Sequence, residues 1–290
     1  MRGFGRGTTE GGGGIKRGIL LIEKRIPQSA LQTAPFTQGS LWMMHLNLIC
    51  CNVKQYVKGN KRMKSKKYYK TELHTHTTPV SSCSDIAPKQ LVEIYKENGY
   101  DSIVLTNHFT LNLKGETVKE KIKWYLEDYN QCFEYGTDIG LNVILGTEIR
   151  FAENNNEYLV YGICPDDLVE IYKMLPYGID MFYGKYKNDK NIIIQAHPFR
   201  DGMKMVKPES IDGIEVFNMH PGHNSRIALA AKYANENNML ATCGSDFHHY
   251  GMECLCGILT EECLKDSYDV ANVLKSGDYN MTIGNYIING

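Results

Sequence analysis

The chain contains no CxxC pair, although it has nine cysteines. Their number is odd, Cys50 and Cys51 are adjacent, and Cys254 and Cys256 lie one residue apart. This pattern supports neither a zinc ribbon, a thioredoxin-type site nor a secreted disulfide framework, and points to reduced thiols in the cytoplasm. No GxGxxG or Walker A stretch follows any strand candidate. The tetraglycine at 11–14 precedes no helix and lacks a Lys–Ser/Thr partner for phosphate. GxSxG is also missing, so a serine nucleophile is not indicated. Ser245 and Cys243 flank Gly244, but Ser245 reads more simply as part of the turn carrying Asp246. Long apolar runs are absent as well. The segment "LWMMHLNLICCNV" at 41–53 is 13 residues long, too short for a membrane span, and has no small-residue cleavage site.

What is present divides unevenly. Residues 1–70 carry 14 Lys and Arg against two Asp and Glu, a net +12, while the whole chain is at −1. The remainder is therefore acidic, which disfavours broad tracking of a nucleic-acid backbone. The first stretch, "MRGFGRGTTEGGGGIKRG", is basic and glycine-rich without periodicity, and reads as disordered. We take 1–66 as an extension, with Met63 as a candidate start and a basic flexible arm as the alternative, and 67–290 as one domain.

From residue 68 the pattern becomes regular. Strand candidates "YYKTELHT", "DSIVLTNH", "NVILGTEI", "EYLVYGI", "NIIIQAHP", "GIEVFN" and "LATCGSDFH" alternate with amphipathic helices such as "APKQLVEIYKENGY" and "ETVKEKIKWYLEDYNQCFEYG". Short, nearly continuous apolar strands separated by helices predict a parallel sheet covered on both faces. About seven repeats suggest a closed or nearly closed β/α barrel.

The residues able to do chemistry gather at one end of these strands. In "TELHTHT", His74 and His76 sit at i and i+2, where a strand aims both at one face. His108 ends the second strand, Glu148 the third, and His197 closes "NIIIQAHP". Glu215 and Asn218 end "GIEVFN", and Asp246 and His248 end "LATCGSDFH". In a parallel barrel the strand C-termini open on one rim, where catalytic groups collect. Mixed imidazole and carboxylate ligands suit Zn²⁺, Mn²⁺ or Fe²⁺. Glu148 and Asp246 could bridge two such ions, and metal-activated water is the nucleophile this set favours.

The motifs "HTHT…SCSD", "TNH", "GTE", "AHP", "EVFN" and "GSDFH", in that order over about 71–260, resemble the PHP family, named for polymerase and histidinol phosphatase. The resemblance implies a distorted (β/α)7 barrel, phosphoesterase chemistry and two to three divalent metal ions (Mn, Zn or Fe). It implies that His74, His76, Glu148 and Asp246 hold one metal, with His74, Glu148 and Asp246 at the catalytic centre. Glu148 and His197 would share a second, and Asp85, His108 and His248 would hold the third. One departure stands out. Family members usually supply a further His after the GxE motif, whereas "NNNEYLVYGI" contains none. A ligand from elsewhere, such as His220 or His223, is then a candidate, although that loop could simply cap the following helix.

Phosphate also needs a clamp. Arg200, Arg226 and Arg150 lie on or near the rim, with Arg200 preferred, and any of them could grip phosphate bidentately. His223 is a further substrate-binding candidate. The expected substrate is a small phosphorylated metabolite, histidinol phosphate among the options, or a nucleotide or nucleic-acid end, with no membrane partner. Nucleotides would call for stacking aromatics, for which Phe199, Phe217 and Phe247 are placed unless they belong to the core. A non-catalytic metal-binding module is the alternative, and a domain of a larger polymerase is disfavoured.

Overall fold

The computed structural model describes residues 68–284 and 286–289. The 1–66 extension and the candidate start at Met63 lie outside the described residues. The apolar runs become strands β1 (Tyr69–Thr75), β2 (Ser102–Leu105), β3 (His108–Phe109), β4 (Asn142–Leu145), β5 (Thr147–Arg150), β6 (Glu157–Tyr161), β7 (Ile192–Gln195), β8 (Gly213–Asn218) and β9 (Leu240–Gly244). Three more, β10 (Cys256–Thr260), β11 (Asn280–Ile283) and β12 (Tyr286–Asn289), follow after them. Two six-stranded sheets run β12-β11-β10-β1-β2-β4 and β3-β5-β6-β7-β8-β9.

These sheets are joined twice. β2 leads into β3 and β4 into β5 across two-residue and one-residue breaks, so two strands pass from one sheet to the other. On the opposite side a parallel bridge pairs Thr75 with Phe247. There the His76 N–H donates to the Phe247 carbonyl at 3.1 Å and the Phe247 N–H to the His74 carbonyl at 3.3 Å. The result is seven strand positions in a ring, a distorted PHP-type (β/α) barrel.

Among the described residues six helices cover it: α1 (Pro88–Glu97), α2 (Val118–Ile139), α3 (Asp167–Met174), α4 (Ile179–Tyr186), α5 (Ile227–Glu236) and α6 (Ser267–Ser276). Their ends follow from local chemistry. Pro88 opens α1, where its missing N–H costs no hydrogen bond. Thr117 and Glu120 form a reciprocal capping box on α2, and Gly140 closes that helix at φ 77°. Inside the ring, Leu73, Val104, Ile144, Leu159, Ile194 and Cys243 belong to one buried apolar cluster. The barrel is thus a packed plug rather than a pore, and each large buried aliphatic contributes roughly 1.5–3 kcal/mol.

The structure corrects the expectation of an all-parallel sheet. β6 runs antiparallel to both β5 and β7, and β10 to β12 are antiparallel additions beside β1. The 151–156 link is too short for a crossover connection, so β5 and β6 must form a hairpin. This reversal puts the first residue of β6, not its last, on the rim where the neighbouring parallel strands end.

Candidate metal centre

Glu148 stands at the middle of the rim. It pairs directly with β3 in register opposite His108, and both residues are carried to the cleft by the strands that cross between sheets. Its Oε1 lies 3.3 Å from His74 Nε2 and 3.1 Å from His197 Nε2. Its Oε2 lies 2.8 Å from His108 Nδ1 and 3.4 Å from His76 Nε2. Asp246 approaches from the other side, with Oδ1 3.4 Å from both His74 Nε2 and His76 Nε2. His248 stacks on His76 at 4.2 Å between ring centroids, and His108 lies 4.5 Å from His76. The Nδ1 of His248 contacts the Asp246 carbonyl at 2.8 Å, which directs its Nε2 the other way.

Backbone detail aims these groups. β-bulges interrupt the β1–β2 register between Glu72 and Thr75 and the β8–β9 register between Glu215 and Phe217, re-aiming the strand ends. His197 and Asp246 adopt positive φ, 29° and 51°, a conformation costly for residues other than glycine and frequent at functional sites. Gly244 is required for space. A Cβ there would sit 2.3 Å from Glu215 Oε1 and 2.5 Å from His74 Cβ, breaking the pair that orients His74.

A layer behind the cluster holds it in place. Glu215 Oε1 contacts His74 Nδ1 at 2.9 Å, and its Oε2 accepts from the His197 N–H at 3.0 Å and Asn218 Nδ2 at 2.9 Å. Asn218 also donates to Asp246 Oδ2 at 3.2 Å. Ser81 Oγ meets His76 Nδ1 at 3.1 Å. Contacts of this kind fix which ring nitrogen faces inward and raise its basicity. Glu72, fully buried, accepts from the N–H groups of Leu73, His74 and Ser245 and from the hydroxyls of Ser245 and Tyr95. Burial pushes its carboxyl up to about 7 against the pull of those donors.

Electrostatically the cluster is charge-dense. Burial would raise Glu148 and Asp246, but His74 and its neighbouring imidazoles hold both well below the ordinary carboxylate range. Burial opposes a charge on His74 too, and Glu215, Asp246 and Glu148 overcome it, raising that imidazole. His76 is held well below its ordinary value by burial and by the facing imidazoles of His248 and His108. At Cys83, burial disfavours the thiolate, yet His108 and His248 bring the thiol down to about 6.

The donor set fits divalent cations. Among the described residues three groups offer ligand atoms within 4.8 Å of one another: His74, His76 and Asp246; His76, His108 and His248; and His108, Glu148 and Glu157. His74 Nε2, His76 Nε2, His108 Nδ1 and Glu148 Oε2 are buried without a well-formed hydrogen bond. Buried polar atoms lacking partners are rare, and an ion is one standard way to satisfy them. Ligation requires neutral imidazoles, so a cation would compete with protons at His74 and His108, which neighbouring carboxylates raise against burial.

Of the candidate residues, His74, His76, His108, Glu148, His197, Asp246 and His248 converge. Asp85 does not. Its side chain is 62% exposed and pairs with His249 Nδ1 at 3.1 Å. The loop is tied down by buried Ser84, whose Oγ donates to the carbonyls of His76 and His248, and Cys83 rather than Asp85 lines the cleft. Arg226 does not reach the cluster either, because its guanidinium donates to the Phe199 carbonyl and to Asp201. Arg200 does, with Nη1 4.0 Å from Asp246 Oδ2. His220 and His223 stack on each other at 4.4 Å and line the same cleft. Burial lowers both imidazoles, His220 to about 4.

One residue was missed. Glu157, 2% exposed, lies 3.4 Å from both His108 Nδ1 and His197 Nε2, with Arg150 paired to it. It opens β6 within the very stretch that lacks a histidine. Only the reversed direction of β6 brings it to the rim, and a carboxylate search alongside the histidine search would have flagged it.

The geometry separates two adjacent histidines. His248→Ala should lower turnover on the order of 10- to 100-fold, in line with losing a group that holds or orients a ligand. His249, 41% exposed on Asp85 at the cleft mouth, should tolerate alanine with a far smaller loss. Steady-state kinetics of both variants check this, and equal damage would contradict the placement of His248.

A model of the PHP domain matches residues 72–275. Among solved structures, a two-domain protein from Bacteroides vulgatus, described as containing a predicted PHP-like metal-dependent phosphoesterase, is similar at 15% identity and TM-score 0.51, covering 76% of this chain. This chain spans 66% of that protein. PsfC from Pseudomonas syringae is similar at 15% identity and TM-score 0.50, covering 70% of this chain and 88% of its own. No curated protein matches significantly. At this identity the two structures support the fold alone, and the match over 72–275 shows the family: the chain belongs to the PHP domain family.

Proposed function

We propose that this protein hydrolyses a small phosphomonoester, with His74, His76, Glu148, Glu157, His197, Asp246, His108 and His248 as the metal-holding set. The observation that carries the reading is Glu148, whose two oxygens face four imidazoles within 3.4 Å. One carboxylate so placed suits two neighbouring cations, of which Mn²⁺, Zn²⁺ and Fe²⁺ match the ligand types. Bound there, they would supply Lewis acidity toward phosphoryl oxygens and a water of low pKa.

The chain's own residues do the rest. Arg200 hangs at the edge of the cluster, half-buried, and is the group positioned to grip phosphoryl oxygens in a fork. Arg150 is committed to Glu157, so its contribution is to hold that carboxylate in line. His220 and His223, kept neutral, can contact the ester's organic part without repelling the cations. The cleft is about 240 Å³ and its lining contains no Phe, Tyr or Trp among the described residues. Phe199 and Phe217 pack against core clusters and Phe247 is fully buried. No Phe, Tyr or Trp platform therefore lines the cleft among the described residues, which favours a compact phosphorylated metabolite over a nucleic-acid end.

No helix among the described residues is long and apolar enough to cross a membrane. The seven described cysteines are free, which supports a cytoplasmic setting for the reaction.

The test is a hydrolysis screen on protein reconstituted with Mn²⁺ or Zn²⁺, using p-nitrophenyl phosphate, its diester analogue, small phosphorylated metabolites and 5′-phosphorylated oligonucleotides. Monoester cleavage is expected, with Arg200→Ala lowering kcat/KM roughly 10- to 100-fold, about 1.4–2.8 kcal/mol of transition-state binding. Preference for the oligonucleotide would overturn the substrate class. Full metal loading without hydrolysis of any ester would mean a binding module instead.

A further inference from the structure

We propose that the Cys83 sulfur, not the Asp85 carboxylate, completes the ligand set of His108 and His248 at the cleft side of the centre. The inference rests on the reading of this rim as a metal centre and adds a thiolate to it. Three observations carry it.

First, Cys83 lines the cleft together with His108 and His248, and those two imidazoles act on its thiol. Second, the imidazoles of His76, His108 and His248 present nitrogens within 4.8 Å of one another. Of these, His76 Nε2 is buried without a well-formed hydrogen bond and faces this group. Third, the acidic residue two positions further along points away, 62% exposed on His249. The loop cannot easily swing to exchange the two. Buried Ser84 lies between them and donates to the His76 and His248 carbonyls at 3.3 and 3.0 Å, while the Asp85 N–H donates to the His248 carbonyl at 3.2 Å.

A sulfur ligand changes which ions the position selects. Thiolate is soft and prefers Zn²⁺, Fe²⁺ or Co²⁺, whereas Mg²⁺ and Mn²⁺ prefer oxygen. On ligation the S–H bond gives way to a sulfur–metal bond and the proton leaves to solvent. The three-carboxylate side of the centre, with Glu148, Glu157 and Asp246, has no such bias. One rim would therefore discriminate between two kinds of cation at neighbouring positions.

The experiment is a cobalt titration of the full chain after chelation, followed by absorption spectroscopy. Co²⁺ is the probe because a thiolate ligand produces a near-ultraviolet sulfur-to-cobalt charge-transfer band that imidazole and carboxylate ligands do not. Visible ligand-field absorption independently reports that cobalt has bound. The wild type is expected to show both. Cys83→Ser should keep the ligand-field absorption, lose the charge-transfer band and weaken one class of cobalt about 10- to 100-fold. Asp85→Asn should keep both bands. Ligand-field absorption without charge transfer in the wild type, or a charge-transfer band that persists in Cys83→Ser, would overturn the proposal while leaving the metal centre intact. A change confined to Asp85→Asn would restore the carboxylate as ligand. Failure of cobalt to bind at all would overturn the metal-centre reading itself, and this assignment with it.

Discussion

Glu148→Gln should strip the protein of most of its bound metal and lower phosphoester turnover on the order of 10³-fold or more, the scale set by losing a principal electrostatic element of a transition state. The substitution preserves shape and removes charge. A glutamine amide can offer one oxygen, but its NH₂ group would then face ring nitrogens of the surrounding imidazoles. Those rings lie 2.8–3.4 Å from the present carboxylate oxygens, close enough for the amide hydrogens to occupy ring nitrogens that would otherwise face a cation. Metal analysis after reconstitution and kinetics on p-nitrophenyl phosphate measure the two effects together. A variant with full metal content and near-normal turnover would remove Glu148 from the centre. Loss of activity with metal retained would instead assign it to the reaction rather than to ligation.

The second large effect concerns stability, and it falls on a residue that need not touch metal. Glu72→Ala is expected to destabilise the fold by about 3–5 kcal/mol, the range for removing one partner of a buried charged network. The alanine would leave the N–H groups of Leu73, His74 and Ser245 and the hydroxyls of Ser245 and Tyr95 without their acceptor. Each abandoned buried donor costs roughly 1–3 kcal/mol unless water reaches it. Because Glu72 connects β1 to the turn after β9, the loss loosens the seam that closes the ring. Urea denaturation in the presence of chelator isolates this contribution from metal binding. A change under about 1 kcal/mol would show that the network relaxes or hydrates and that Glu72 is not a structural clamp.

Much of the site was legible because strand ends are local features. His74 and His76 share a face through the period of two, and His108, Glu148, His197, Asp246 and His248 each close an apolar run. A barrel places such ends together whatever the details of its loops. The fold followed from the same pattern, since seven short strands with intervening helices leave few ways to bury both faces of a sheet. Glu215 and Asn218 were also visible at the end of β8. Their work in orienting His74 and Asp246 emerged only from contacts across 141 and 28 residues of chain.

What the sequence by itself determined, then, is the identity of the seven ring strands and the chemical character of the rim, because periodicity and residue type act over a few neighbouring positions. Tertiary structure decided the rest. The direction of β6 depends on how a short link must turn and on which edges remain to be paired, and that direction alone puts Glu157 beside His108 and His197. The outward turn of Asp85 onto His249 goes with Ser84 reaching the carbonyl of His248, far along the chain. Arg226 was lost to the site because Phe199 and Asp201 reach its guanidinium first. These are competitions between non-local partners for one side chain, and they are settled by which groups the closed barrel brings within hydrogen-bonding distance.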